Sequence, residues 1–208
     1  MKVALCIPIH STNPVHPNFL VNFINRLGEI DPKKFEVSII FSIKYPIDKA
    51  REELVESALK GNADYIWFID SDMVVPKASL ETLLDLNTDV ASGLYFAKGI
   101  PYLPVIRRLD DRGHFEFVMN LESEMGKIIE VDGVGLGCCL IKTEVFKKLE
   151  KPWFLYKWDG DNVQAEDLYF CKKAREAGFK ILVNTKLIVG HQGGLISERE
   201  YYNYKDLR

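Results

Sequence analysis

Apolar residues along the chain follow two rhythms. Uncharged runs at 3–9, 37–42, 65–69 and 90–96 have the length of buried strands. Between them, apolar residues return every three or four positions. Phe19, Phe23, Ile24 and Leu27 predict a helix over 19–27 that Gly28 stops. A second helix is predicted over 48–60, closed by Gly61-Asn62, and a third over 77–86. Alternation of strand and helix through residue 96 implies a mainly parallel sheet covered by helices on both faces.

Beyond Gly99 the rhythm changes. "PYLPVIRR", "HFEFVMN" and "KIIEVDGVGLGCCLIK" read as short strands and turns. Helices are predicted over 143–149 and 167–177, with Gly178 at the C′ position of the second. Short strands follow at 181–184 and 187–189. There is no internal repeat and no linker. The expectation is one α/β domain over 1–208, with a Rossmann-like nucleotide-binding half at 1–99. Residues 100–208 would supply an irregular acceptor-binding and catalytic half with its own smaller sheet.

Composition narrows the function. A chain of 208 residues, 47% hydrophobic, can bury a core without staples. A net charge of −3, with both signs mixed along the chain, argues against a nucleic-acid partner. No apolar run approaches the roughly 20 residues that cross a bilayer. "MKVALCIPIH" turns polar too soon for a signal peptide, so a cytoplasmic location is expected. Cys6, Cys138, Cys139 and Cys171 form no C-x-x-C pair and are expected to be buried thiols.

The chemistry concentrates in "YIWFIDSDMVVP" at 65–76, where the most apolar strand ends on Asp70 and Asp72. In open parallel sheets, ligands bind at the carboxyl ends of strands. Residues i and i+2 of an extended chain share a side, so both carboxylates can face one cation. Oxygen donors suit Mg²⁺ or Mn²⁺, with phosphates completing the shell. The bland alternative is a turn in which the acids bond backbone N–H groups. "DGVGLG" leads into the strand "CCLIK" rather than a helix, so it is not a dinucleotide fingerprint.

Four blocks in order carry a family resemblance: "VALCIPIH", "DKAREELVESAL" through "ADYIWFIDSDMVVP", "VDGVGLGCCLIKTEVFKKL", and "PWF" with "AEDLYFCKKAREAGFKILV" and "GHQGG". Together they resemble the GT-A nucleotide-sugar glycosyltransferases, particularly the family-2-like group. The resemblance implies a hexosyltransferase-type enzyme using a UDP- or GDP-sugar donor and Mn²⁺ or Mg²⁺. The acceptor would be a carbohydrate, lipid or protein hydroxyl. Pro8 and His10 would border the base, and Arg51 would reach the nucleotide side. Asp70 would face the ribose or the metal, and Asp72 would ligate the metal with His191. Gly135 would let backbone approach the donor sugar. Glu166 and Asp167 match the acidic pair that supplies the base in inverting members. The second strand ends "IIFSIKYP", without the acid that reads uracil in many relatives, so uracil and guanine both stay open.

Each residue also has a plainer role. Glu166 and Asp167 suit a helix start, His191 a polar loop, and Arg51 a solvated helix face. The aromatic residues Trp153, Phe154, Tyr156 and Trp158 suit either an acceptor platform or a core. Two other readings compete: a haloacid-dehalogenase-type phosphotransferase with Asp70 as nucleophile, and a non-catalytic sugar-nucleotide-binding module. A sugar-nucleotidyltransferase would want glycine and basic residues in "PIHSTNPVHPN", which has none.

Overall fold

The computed structural model describes residues 1–9, 15–159 and 162–193, with 159 and 162 as backbone only. His10 lies outside the described residues. In chain order the elements are β1 (Lys2–Pro8), α1 (Pro17–Glu29), β2 (Glu36–Ser42), α2 (Ile47–Lys60), β3 (Tyr65–Ile69), β4 (Met73–Val74), α3 (Ser79–Leu84) and β5 (Val90–Leu94). Then follow β6 (Ile106–Leu109), β7 (Phe115–Phe117), β8 (Ile128–Glu130), β9 (Gly133–Val134), β10 (Cys138–Lys142) and α4 (Thr143–Lys148). The last are β11 (Lys157–Asp159), β12 (Asn162–Gln164), α5 (Glu166–Glu176), β13 (Ile181–Ile188) and β14 (Gly190–His191).

A seven-stranded sheet in the order β2-β1-β3-β10-β5-β13-β8 forms the centre. β1, β2, β3, β5 and β13 run one way; β10 and β8 run against them. Alternate residues of each strand face opposite sides. Ala4, Cys6, Ile66 and Phe68 join a core with α2, α4 and α5. Leu5, Ile7, Trp67 and Ile69 join a second core with α1 and α3. The sheet is therefore covered on both faces, as the alternation predicts. β6, β7 and β9 form a smaller antiparallel sheet. The two halves are not separate units, because β10 is inserted between β3 and β5.

Several boundaries shift for local reasons. α1 runs past Gly28 to Glu29, where Arg26 pairs with Glu29 at 3.0 Å across the last turn. α3 begins only at Ser79, because Ala78 has φ +53° and cannot continue a helix backwards. The two late strands are one, β13, whose pairing with β5 is irregular between Asn184 and Ile188. Gly178 takes φ +85° behind α5, as expected of a C′ glycine. All four cysteines are free and buried. Among the described residues no helix is long and apolar enough to cross a membrane.

Candidate active site at the carboxyl ends of the strands

β1, β3 and β5 all end on one side of the sheet, and the residues after β13 emerge there too. Pro8, Ile9, Lys44, Tyr45, Asp70 and Asp72 are among the residues lining a cleft of about 170 Å³ at this end. Asp72 follows β3 and sits beside His191, because β14 pairs antiparallel with β4 and sets His191 opposite Met73. The Gln192 N–H also donates to the Asp72 carbonyl at 2.8 Å. Two residues 119 positions apart are thus held together by backbone bonds.

The His191 ring is oriented. Its Nδ1 lies 2.8 Å from the Phe96 carbonyl, which can only accept, so Nδ1 carries the proton. Nε2 then lies 3.6 Å from Asp72 Oδ2, where it donates to that oxygen in the charged ring and presents a lone pair in the neutral one. In the neutral ring, Nε2 and Asp72 Oδ2 are two lone-pair carriers close enough to share a cation. The Lys98 ammonium donates to the same Asp72 Oδ2. Asp72 Oδ1 is buried with no partner among the described residues. Burial pushes the Asp72 carboxyl up, but His191 and Lys98 outweigh it and hold the group below its ordinary range. Among the described residues no group of three or more His, Cys, Asp or Glu side chains converges on one point. The donor set is therefore Asp72 with His191. It suits a divalent ion only if a ligand such as a diphosphate supplies further oxygens.

Asp70 is differently engaged. Arg51 Nη2 donates to both of its oxygens, at 3.0 and 3.2 Å, and Arg51 Nε donates to Glu166 Oε1 at 3.2 Å. The guanidinium is 3% exposed and stands 5.3 Å above the Phe68 ring. Arg51 thus ties the end of β3 to the start of α5. It is neither a solvated helix residue nor a side chain extended into the cleft. Burial pushes the Asp70 carboxyl up despite Arg51.

Asp167 follows Glu166 and remains half-buried, its Oδ1 accepting the Leu168 N–H at 2.7 Å. Burial, and then the neighbouring Glu166, raise its carboxyl to about 7, against the opposing pull of Arg51 and Arg107. Arg107 stacks over Phe117 at 3.2 Å and donates to the Pro104 and Ile106 carbonyls. Burial lowers its guanidinium to about 10. Tyr95 closes the floor: its hydroxyl accepts the Gly137 N–H at 3.1 Å, and its ring meets His191 edge-on at 5.5 Å. Burial first, then Asp70 and Asp167, push that phenol up.

Gly135 lies beneath Tyr95. A Cβ there would come within 2.0 Å of the Tyr95 hydroxyl and 2.7 Å of Val105. Packing of Tyr95 accounts for this glycine without any ligand. The aromatic cluster divides. Trp153 and Phe154 are core residues, anchored by their N–H groups on Glu52 at 2.5 and 2.9 Å. Tyr156 and Trp158 are exposed. Partial burial first, and then the charge of the nearby Glu166, push the Tyr156 phenol up. His16 caps α1 by accepting the Asn18 N–H, and His114 pairs with Asp110.

Pro8, Asp70, Asp72 and His191 meet at the cleft mouth, with Arg51, Glu166 and Asp167 joined to them through the Arg51 bridge. Lys98, Arg107 and Tyr95 were not singled out from the sequence. The available signal for Lys98 is a basic residue just beyond a strand's carboxyl end, in "YFAKG". Arg107 and Tyr95 carry no such mark.

No protein-family model matches the chain, and no curated protein does. Among solved structures, A197 from STIV matches with a TM-score of 0.63 and 21% identity. The match covers 92% of this chain and 85% of that one. At this identity the likeness shows a shared α/β architecture and nothing about chemistry.

Proposed function

We propose that the chain is a divalent-metal-dependent glycosyltransferase of GT-A type, transferring a hexosyl group from a UDP- or GDP-sugar with inversion. One observation carries the reading. Arg51 binds Asp70 and Glu166 together, which supports reading their chain neighbours Asp72, with His191, and Asp167 as parts of one site. A diphosphate leaving group needs positive charge at one end, and an acceptor hydroxyl needs a base at the other.

The base and ribose would enter the cleft lined by Pro8, Ile9 and Tyr45. Asp72 and His191 would hold Mn²⁺ or Mg²⁺ together with diphosphate oxygens. The ion would supply charge to offset that developing on the leaving group. Lys98 would shift from Asp72 onto the diphosphate. Asp167 would accept the proton of the acceptor hydroxyl while its oxygen bonds the anomeric carbon and the carbon–diphosphate bond breaks. A carboxyl raised to about 7 is a competent base at neutral pH and stronger than an ordinary one. Tyr156 and Trp158 offer exposed rings for the acceptor. The phosphotransferase alternative wants Asp70 free to attack phosphorus, yet Arg51 binds both its oxygens.

Incubation with a panel of UDP- and GDP-sugars and Mn²⁺ tests the reading through release of nucleoside diphosphate. Slow release without acceptor is expected from one nucleotide class, abolished by chelator. Release of inorganic phosphate instead, with a phosphorylated Asp70, would overturn it.

A further inference from the structure

The two edges of the central sheet are built differently. β8 is three residues long, follows Lys127 and ends on Glu130. Short, charged edges of this kind discourage pairing with another chain. β2 is seven residues long, EVSIIFS, with no charge, proline or bulge after Glu36. Among the described residues it pairs only with β1. Ile39, Phe41 and Ile43 are 41%, 52% and 68% exposed. Phe41 meets Phe23 of α1 at 6.3 Å, and Leu20 and Ile24 on the same side of α1 are exposed as well. Apolar surface therefore continues from the strand edge onto the helix.

Backbone direction along β2 is fixed by two bonds. The Glu36 N–H donates to Met1 O, and Ser42 O accepts the Ile9 N–H. The even-numbered residues thus turn their N–H and C=O groups towards β1. Val37, Ile39 and Phe41 turn theirs to the open edge.

We propose that this edge pairs with a second copy of the same chain, β2 antiparallel to β2 about a two-fold axis through Ile40. In that register Ile39 faces the partner's Phe41, and Val37 faces the partner's Ile43. Val37, Ile39 and Phe41 are outward-bonding positions within the strand, and Ile43 lies just past its end. Ile40 faces its own copy as a non-hydrogen-bonded pair. The ends complement in charge: Glu36, exposed and paired with Lys2, falls near the partner's Lys44, which lies just past β2 and is paired with Glu53. Moving the axis to Ile39 would set Lys34 opposite Lys44, which like charge disfavours. The dimer would fuse two sheets into one, and would bring Leu20 and Ile24 of both copies to the same face. Homodimers of this isologous kind are the commonest closed assemblies.

Sedimentation equilibrium and cysteine crosslinking test it. The wild-type chain should sediment at twice its own mass, and Ile39→Lys should sediment as a folded monomer. Ile39→Lys combined with Phe41→Glu should recover the dimer, because each lysine then faces a glutamate across the axis. Ile40→Cys should crosslink fully on mild oxidation. Ile39→Cys should not, since it faces the partner's Phe41; the native cysteines are buried and give no background. A wild-type monomer at all concentrations overturns the proposal. So does a dimer unaffected by Ile39→Lys, or crosslinking through Ile39→Cys but not Ile40→Cys. Vesicle binding by a wild-type monomer, lost in Ile39→Lys, would assign the patch to a lipid surface instead.

Discussion

Asp167 holds the least ordinary charge in the site. Its carboxyl is raised to about 7, so it is half neutral near neutrality. Under the proposed function, Asp167→Asn should leave nucleotide binding nearly intact and lower transfer by about 10²- to 10⁴-fold, the usual worth of a positioned base. Wild-type turnover should fall about tenfold per pH unit below 7, and that acid limb should vanish in the variant. Stability gives an independent readout. A carboxyl raised on folding contributes stability that is complete below its unfolded value and is lost as pH rises through about 7. Asp167→Asn should therefore melt higher than wild type at pH 8 and equally at pH 3. Equal melting at both would place the raised carboxyl elsewhere. Lys98 makes a second residue-scale test. It competes for Asp72, so Lys98→Met should tighten Mn²⁺ binding without nucleotide by up to about fivefold, the worth of a partly exposed ion pair. Weaker Mn²⁺ binding in that variant would make Lys98 a support of the site rather than a competitor.

At the scale of elements, the site depends on α2. Its first turns carry Arg51, which joins β3 to α5, and Glu52, which holds the backbone of Trp153 and Phe154. Removing the guanidinium leaves the buried Glu166 and the partly buried Asp70 without their shared partner. Arg51→Met should cost about 3–5 kcal/mol by denaturant unfolding. A cost below about 1 kcal/mol would mean the three groups are less tightly coupled than their geometry indicates. Most elements were legible because their patterns are local: Tyr65–Ile69 is found where the apolar run predicts it, and Gly178 closes α5. The position of β10 was not legible. "CCLIK" reads as a strand, yet nothing within five residues says that it slots between β3 and β5. Lys98 escaped for the same reason. Its partner Asp72 is 26 residues away, and the room for its stem comes from Gly193, where a Cβ would meet Lys98 Cδ at 2.7 Å. Gly135 was legible as a glycine that something approaches closely, but that something is Tyr95.

Across the whole molecule, the proposed catalytic site and the proposed dimer edge fall at different places on a single sheet. Its carboxyl end gathers the cleft, the Asp72–His191 pair and the Arg51 bridge, while among the described residues the β2 edge pairs with nothing beyond β1. The architecture shared with A197 from STIV supplies the scaffold, and the proposed chemistry rests on the side chains at the strand ends. The claim that those side chains form a metal-assisted nucleotide site is tested most directly by calorimetric titration of UDP and GDP. Wild type, Asp72→Ala and His191→Ala should each be titrated with Mn²⁺ and with chelator. One nucleotide should bind wild type at least tenfold more tightly with Mn²⁺. Asp72→Ala should remain folded and lose that difference, and His191→Ala should reduce it. Equal binding with and without the ion, or an undiminished Mn²⁺ effect in Asp72→Ala, would contradict the account.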